Sequence, residues 1–580
     1  MPGGESLSNN EVVREFREAL AAMEIKKYNR FKIRAYQNVI SSLDNLTSSI
    51  YDLWENNQLE NVPGIGESIK EHLDELFSKN KVSEFTKLKQ DLPEGMFELI
   101  NLRGIGAKTA YKLSTELGLN KRESALEKVK KAAQDGKIRV LEGFGEKSEQ
   151  DVLEAIEQMS RHKSVKTRLL LVHAEEIAER ITDHMKKLSE VARVDVLGSL
   201  RRRSPTVGDL DFAVVTANRE KVIEHFVSFP EVKEVLSRGD KKASVVLKND
   251  IQADLMTADA DSYGSLLQHF TGSKQHNIML REYAMAKGLS LSEYGIKRGK
   301  KLIKTADEQN FYSRLDLQYI PPELRHGADE IETASKNELP ELVTLQDIKG
   351  DLHTHTIASD GVDTLESMVE AAKLIGYKYI GICDHAPSVI NRGKFDVLGT
   401  IETTRKRIEQ INYSQDNIRV LFGFEVNILV DFTLAMPDDL LAKMDYVVAS
   451  IHTGFNQSRE DITKRYVEAL ENPYVTIIGH PSGRLINERE PMDIDWARVF
   501  SAAVEHNKII EITAQPNRLD LPDDLVHEAI KQGLRLVINT DAHSTAALSY
   551  MKYGVDVARR GWCESNHIVN TLPLNRIILA

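Results

Sequence analysis

The chain has 580 residues, of which 28% are charged and 41% hydrophobic, with a formal net charge of −12. That length predicts several domains of a soluble globular protein, and no apolar run approaches the ~20 residues of a membrane span. Only Cys383 and Cys563 occur, too few for a disulfide framework and without zinc-ligand spacing, and the opening MPGGESLSNN lacks a signal-peptide core, so a cytoplasmic protein without membrane contact is expected.

The acidic excess is uneven. Residues 1–340 hold 52 basic and 54 acidic groups, whereas the remainder holds 24 and 34. The N-terminal part is therefore close to neutral, and the negative charge gathers where carboxylates are needed as cation ligands.

Residues 1–90 read as amphipathic helices and 91–155 as a second helical unit. Within them NVPGIGESIKEHL, NLRGIGAKTAYKL and LEGFGEKSEQDVL each place an apolar-Gly-apolar-Gly turn just before a helix pattern. Glycine lets the backbone approach a ligand closely, and amides at a new helix N-terminus hold phosphate. One such turn is an ordinary helix corner. Three in about 80 residues predict a sequence-independent grip on a nucleic-acid backbone. The residues concerned are Gly64 and Gly66, Gly104 and Gly106, and Gly143 and Gly145, with Lys108 and Lys147 as helpers.

Residues 156–262 read as a mixed α/β module. In GSLRRRSPTVGDLDFAVV, Asp209 and Asp211 alternate on a strand, so both carboxylates face one side. Asp254, in SVVLKNDIQADLM, is expected on a neighbouring strand. Three carboxylates on adjacent strands make a two-cation site for phosphoryl transfer. A further module runs over 263–325, and the proline-punctuated, acid-rich stretch at 326–345 reads as a tether.

From 346 to 580 one pattern recurs six times: a β-branched run ends and a metal-ligand side chain follows. The stretches GDLHTHTIASDG, GICDHAPS, GFEVNI, ASIHTGF, IGHPSGRL and INTDAHS supply His353, His355, Asp360, His385, Glu425, His452, His480, Asp541 and His543. Nine imidazole and carboxylate groups at one end of a parallel sheet are too many for one ion, and two or three divalent metals are expected.

These motifs, in this order, resemble the polymerase and histidinol phosphatase (PHP) domain. The resemblance implies a distorted (β/α)7 barrel holding up to three metals, Mn²⁺, Zn²⁺ or Fe²⁺, that hydrolyses phosphate esters. Arg484 in GHPSGRL would meet the non-bridging phosphate oxygens. Thr513 stands where members often carry Asn, which bears on the support of the ligands.

The GSLRRR…GDLD pattern resembles the palm of the family X DNA polymerases. That implies Gly198 and Ser199 cradling triphosphate oxygens, Arg202 neutralising them and Gly208 admitting the backbone. Asp209 and Asp211 would hold two Mg²⁺ or Mn²⁺ ions, and Asp254 the ion that activates the primer 3′ hydroxyl. LLQHFTGSKQHNIMLREYA is similar to the nucleotide-binding stretch, implying Phe270 and Gly272 at the sugar, Asn277 at the base and Arg281 at the template strand. Two departures are His269 in place of Tyr and Met256 in place of Arg. LSEYGIK resembles the thumb. FKIRAYQNVISSL with PGIGESIKEHL resembles the N-terminal helical domain, in which some relatives use a Schiff-base lysine. This chain has His72 there, and imidazole forms no imine, while Lys70 lies on another helical face.

The expectation is a multidomain α/β chain, a family X DNA-directed DNA polymerase for gap-filling repair with a 3′-5′ exonuclease or 3′-end phosphoesterase barrel. It would act as a monomer on gapped or primer-template DNA with deoxynucleoside triphosphates. The alternative is a DNA-end-processing hydrolase whose N-terminal half only binds DNA, for which loss of the three palm acids would be the mark.

Overall fold

The C-terminal strands are mostly apolar and buried because each is covered on both faces. Seven parallel strands, Gly350–Thr354, Tyr379–Ile382, Arg419–Asn427, Tyr446–Ser450, Ile477–Ile478, Ile509–Thr513 and Arg535–Asn539, pair in sequence order. Helices including Leu365–Ile375, Arg459–Glu471 and Trp496–Glu505 form the crossovers. The ring nearly closes: His355 N donates to Ala542 O at 2.8 Å and Leu352 N to Asn539 Oδ1 at 2.9 Å. Leu352, Tyr379, Leu421, Tyr446, Val448 and Ile509 share its apolar interior. Tyr446 explains two glycines. A Cβ on Gly381 would lie 2.1 Å from its Oη, and one on Gly423 2.8 Å from its Cζ.

This computed structural model describes residues 7–577 apart from 8, 45–49, 56–58, 60, 61, 63, 103, 104, 123 and 164–167. It divides into two compact units, Met1–Thr167 with Pro230–Asp250, and Arg168–Phe229 with Ile251–Ala580. The expected multidomain α/β architecture is observed: helical N-terminal segments, a mixed palm sheet and a seven-stranded barrel.

In the second unit, strand Leu210–Val215 pairs antiparallel with Arg193–Val196 and parallel with Gln252–Ala258. A three-stranded antiparallel sheet, Ser290–Ser292, Gly295–Arg298 and Lys301–Ile303, follows. The tether expected at 326–345 is instead folded. It carries the helix Glu330–Ser335, and Ile331, Ala334 and Leu342 join the apolar cluster of Phe311, Tyr312 and Leu315. Glu330 looked like a solvated linker acid, but it is fully buried. It accepts from Gly327 N and Ala328 N at 2.8 Å and pairs with His276 Nδ1 at 2.7 Å. A buried acid with every acceptor position used is indistinguishable in composition from a surface one.

In the first unit, helices Asn9–Ile25, Arg30–Asp44, Glu67–Lys79, Ser83–Lys89 and Ala107–Glu116 share a core built on Phe16, Tyr36, Leu73, Phe85 and Leu113. His72 is part of that interior, held between Tyr36 Oη and Glu84 Oε2, each at 3.0 Å.

Glu18 is a charged element of the same core. It is 1% exposed and accepts from Arg122 Nη1 at 2.6 Å, Arg122 Nη2 at 2.8 Å and Lys89 Nζ at 2.9 Å. Burial by itself would raise its carboxyl, but the hydrogen bonds from Arg122 and Lys89 outweigh it and hold the group below its ordinary range. A depressed carboxyl contributes stability above its unfolded pKa and loses it as pH falls through the folded value. Glu18→Gln is expected to weaken this unit by about 2–3 kcal/mol at neutral pH. Hydrogen exchange across Asn9–Ile25 should show the difference from wild type shrinking in acid.

Candidate active sites

The palm site is set by strand register. Asp211 and Asp254 are direct partners on parallel strands, and Asp209 lies one residue before the first of these strands begins. Asp254 is 8% exposed and accepts from Gln252 Nε2 at 3.0 Å. The short helix Gly198–Arg201 leads into them, and Leu197 N donates to Asp211 O at 2.8 Å. Gly198 has φ +57, and a Cβ there would lie 2.7 Å from Asp211 Oδ2, so only glycine leaves room for the carboxylate. Three carboxylates beside a space that a methyl group would fill suit hard, oxygen-liking divalent cations.

Arg202 is drawn into the same region, donating from Nη1 to Thr271 O. Burial first, then Arg560, Arg325 and Arg168, push its guanidinium down to about 10, with Asp211 opposing. Crowded positive charge of this kind is the environment a polyphosphate relieves. A Cβ on Gly208 would lie 3.0 Å from Arg168 Nη1. Ser199 is half-buried on the turn after Gly198. Phe270 closes the helix Tyr263–Thr271, and Gly272, at φ +64, turns the chain into Lys274–Ala286, which carries Arg281. Asn277, expected at the base, is turned back in this structure: its Nδ2 donates to His269 O at 2.7 Å and its Oδ1 accepts from Gln268 at 2.8 Å.

The barrel brings all nine expected ligands to the C-terminal ends of its strands. Glu425 is the hub. Its Oε1 lies 2.8 Å from His480 Nε2, 3.2 Å from His452 Nε2 and 3.6 Å from His353 Nε2, while its Oε2 lies 2.9 Å from His385 Nδ1 and 3.7 Å from His355 Nε2. Asp541 Oδ1 approaches His355 Nε2 at 3.2 Å, and Asp360 Oδ2 lies 3.2 Å from both His385 Nε2 and His543 Nε2. Among the described residues, three groups have ligand atoms within 4.8 Å of one another: His355, Asp360, His385 and His543; His353, His355 and Glu425; His385, Glu425 and His452. Asp209, Asp211 and Asp254 are not among them.

Buried His353 Nε2, His355 Nδ1, His355 Nε2 and His480 Nδ1 make no hydrogen bond. Such nitrogens are costly without a partner, and a divalent cation is the partner this donor set fits. Burial alone would raise the Glu425 carboxyl, but the surrounding imidazoles, His353 foremost, hold it well below the ordinary carboxylate range. His480 and Asp541 have φ +28 and +51, left-handed values that non-glycine residues keep only where their surroundings demand it.

Sequence reasoning missed the groups behind the ligands. Glu511 Oε2 binds His353 Nδ1 at 2.7 Å, and Thr513 Oγ1 donates to Glu511 Oε1 at 2.7 Å, so Thr513 supplies the support placed in question by its departure from Asn. Asp384 accepts from Thr356 N, Thr356 Oγ1 and Ser359 Oγ and fixes the loop between His355 and Asp360. The signal for Glu511 was present: an acid in a β-branched run, as with Glu425. Arg484 donates from Nε to Arg518 O at 2.7 Å and from Nη2 to Leu519 O, which ties it to a neighbouring loop.

In the first unit, Gly66, Gly106 and Gly145 stand immediately before the helices Glu67–Lys79, Ala107–Glu116 and Glu146–Lys163. A Cβ on any of the three would meet no protein atom within 4 Å. Packing inside the chain does not require them. Gly64 and Gly143 have φ +88 and +78, and Gly104 lies outside the described residues. Lys108 and Lys147 are exposed on the first turns of their helices.

The chain is 36% identical over 575 residues to DNA polymerase/3′-5′ exonuclease PolX of Bacillus subtilis (strain 168), covering 98% of this chain and 99% of that protein. It belongs to the family X DNA polymerases that carry a PHP domain. Residues 8–82 match a helix-hairpin-helix domain, 266–326 the DNA polymerase beta thumb and 351–515 the PHP domain. The barrel also has relatives of its own. A probable phosphatase of Thermoanaerobacter sp. (strain X514) is 29% identical over 232 residues, 38% of this chain and 89% of that protein. One of Acetivibrio thermocellus is 32% identical over 203 residues, 33% of this chain and 78% of that protein. No described helix is long and apolar enough to cross a membrane.

For this family member, Glu511→Gln should lower barrel metal affinity about 10–100-fold while leaving the fold intact, because it removes the charge that orients His353. Titration of the metal-stripped protein with Mn²⁺, read by calorimetry, checks it.

Proposed function

We propose that the chain extends DNA primers at the palm and shortens or cleans 3′ ends in the barrel, serving gap-filling repair. What supports the reading is the nearness of Asp209, Asp211 and Asp254 at one pair of strands and the gathering of nine groups, Glu425 among them, at the barrel's strand ends, in a chain collinear with a polymerase/exonuclease.

At the palm, Gly198 and Ser199 receive the triphosphate of an incoming deoxynucleotide, and Arg202 with its cationic neighbours balances the charge. Asp209 and Asp211 would hold two Mg²⁺ or Mn²⁺ ions, and Asp254 would hold the one that activates the primer 3′ hydroxyl. In the barrel, Glu511 accepts the Nδ1 proton of His353 and leaves Nε2 as a lone pair directed into the site. Glu425 bridges the ligand groups through its two oxygens. Two to three ions, Mn²⁺, Zn²⁺ or Fe²⁺, would be held there. At both sites divalent cations supply water or hydroxyl activation and neutralise charge on the phosphoryl oxygens. The helix-hairpin-helix turns grip the DNA backbone without reading sequence.

The test follows a 5′-labelled primer on gapped DNA with Mn²⁺, with and without deoxynucleotides. Asp209→Ala should lower extension by about 10³-fold and spare shortening, and His353→Ala should do the reverse. A wild type that shortens but never extends would reduce the N-terminal part to a DNA-binding module. Gly198→Ala should cost about 10²-fold in extension, since its methyl group displaces Asp211.

A further inference from the structure

The turn that reads as the triphosphate cradle does not hold itself. Arg203, directly after it, sits at φ +55, a conformation that a long side chain keeps only when its contacts dictate it. Those contacts come largely from the barrel module. Arg203 Nη2 lies 2.7 Å and its Nε 2.8 Å from Asp556 Oδ2, and its Nη1 lies 2.8 Å from Glu175 Oε1. Glu175 is itself held by Lys552 Nζ at 2.7 Å and Tyr553 Oη at 2.9 Å. Arg560 Nη1 donates to Arg202 O at 2.8 Å while its Nη2 is anchored on Asp523 Oδ2 at 2.6 Å.

Four of these partners, Lys552, Tyr553, Asp556 and Arg560, lie on one helix, Met551–Arg560. That helix has no slack against the barrel. A Cβ on Gly554 would lie 2.4 Å from Ile538 Cγ2 and 2.9 Å from Ala514 Cβ. The side chains of Arg203, Asp556, Arg560 and Asp523 are 21%, 14%, 10% and 17% exposed, so their pairing is poorly screened by solvent.

We infer that the barrel helix Met551–Arg560 is a working part of the polymerase site: Asp556 and Arg560 are positioning residues that fix the turn Gly198–Arg203 for the triphosphate of the incoming nucleotide. The inference rests on the reading of Gly198, Ser199 and Arg202 as that cradle. Neither residue belongs to the barrel's own ligand cluster. Their role is therefore in nucleotide binding at the palm, and the metal cluster of the same module is left to its own chemistry.

The test uses the full-length protein on single-nucleotide-gapped DNA, with initial rates at varied deoxynucleotide and 3′-end shortening as the control for a folded barrel. Asp556→Ala and Arg560→Ala should each raise KM for the deoxynucleotide about tenfold with a smaller change in kcat and unchanged shortening. Arg560→Lys should recover part of the loss. Arg203→Ala combined with Asp556→Ala should be less than additive, since either change removes the same contact. Unchanged KM in both single variants, with KM raised in Arg202→Ala, overturns the inference and leaves the cradle reading standing. Unchanged KM in Arg202→Ala as well overturns both. If an alanine variant also loses shortening, the isosteric Asp556→Asn decides by the same criteria, with unchanged KM counting against.

Discussion

Everything at the mouth of the barrel depends on one buried carboxylate. Glu425 is 2% exposed, and five imidazoles from four other loops converge on its two oxygens. An ionised carboxylate at such depth is costly unless positive charge surrounds it. Four of the other parallel strands end in imidazoles that meet this requirement, and the strand order brings them together around it. The left-handed backbone at His480 and Asp541 is the conformational cost, about 1–3 kcal/mol each, of aiming both inward. The nitrogens left without hydrogen bonds link the site to its cations: whatever binds them stabilises the folded strand ends by mass action.

What could be read from the sequence was the chemistry that repeats. The ligand at the end of each β-branched run was visible because a strand needs no imidazole for packing, so its recurrence had no cheaper explanation. The alternation of Asp209 and Asp211, and the glycine turns before three helices, were visible for the same reason. What stayed hidden depends on contacts between distant residues. Glu511 stood out as an acid in a β-branched run, but its role depends on His353, brought from 158 residues away. Arg484 looked free for phosphate because the carbonyls of Arg518 and Leu519 that occupy it cannot be placed from sequence. The folded stretch at 326–345 was misread because Glu330 is satisfied by local amides and by His276, partners that composition does not reveal.

Some glycines are required by packing inside the protein, and others are not. Gly381 and Gly423 are required by the ring of Tyr446, Gly198 by the carboxylate of Asp211 and Gly554 by Ile538. A side chain at any of these collides inside the protein. At Gly66, Gly106 and Gly145 a side chain would collide with nothing, yet these are the residues that stand before helix N-termini in the helix-hairpin-helix pattern. The open space there leaves the amides of the helix N-termini accessible, the arrangement that suits a phosphate.

In the second unit the helix Met551–Arg560 lies between the two candidate sites. Strand Arg535–Asn539 delivers Asp541 and His543 to the metal cluster, and the chain then returns as helix Met551–Arg560, packed on that strand through Gly554 and Ile538. The outer face of this helix holds Arg203 and the carbonyl of Arg202. A substitution that shifts the helix therefore acts in both directions, loosening Asp541 on one side and the turn at Gly198 on the other. Charged side chains on a barrel's outer helix are ordinarily free to vary. Here Asp556 and Arg560 are constrained by a palm turn whose strained residue, Arg203, has no other acidic partner among the described contacts than Glu175.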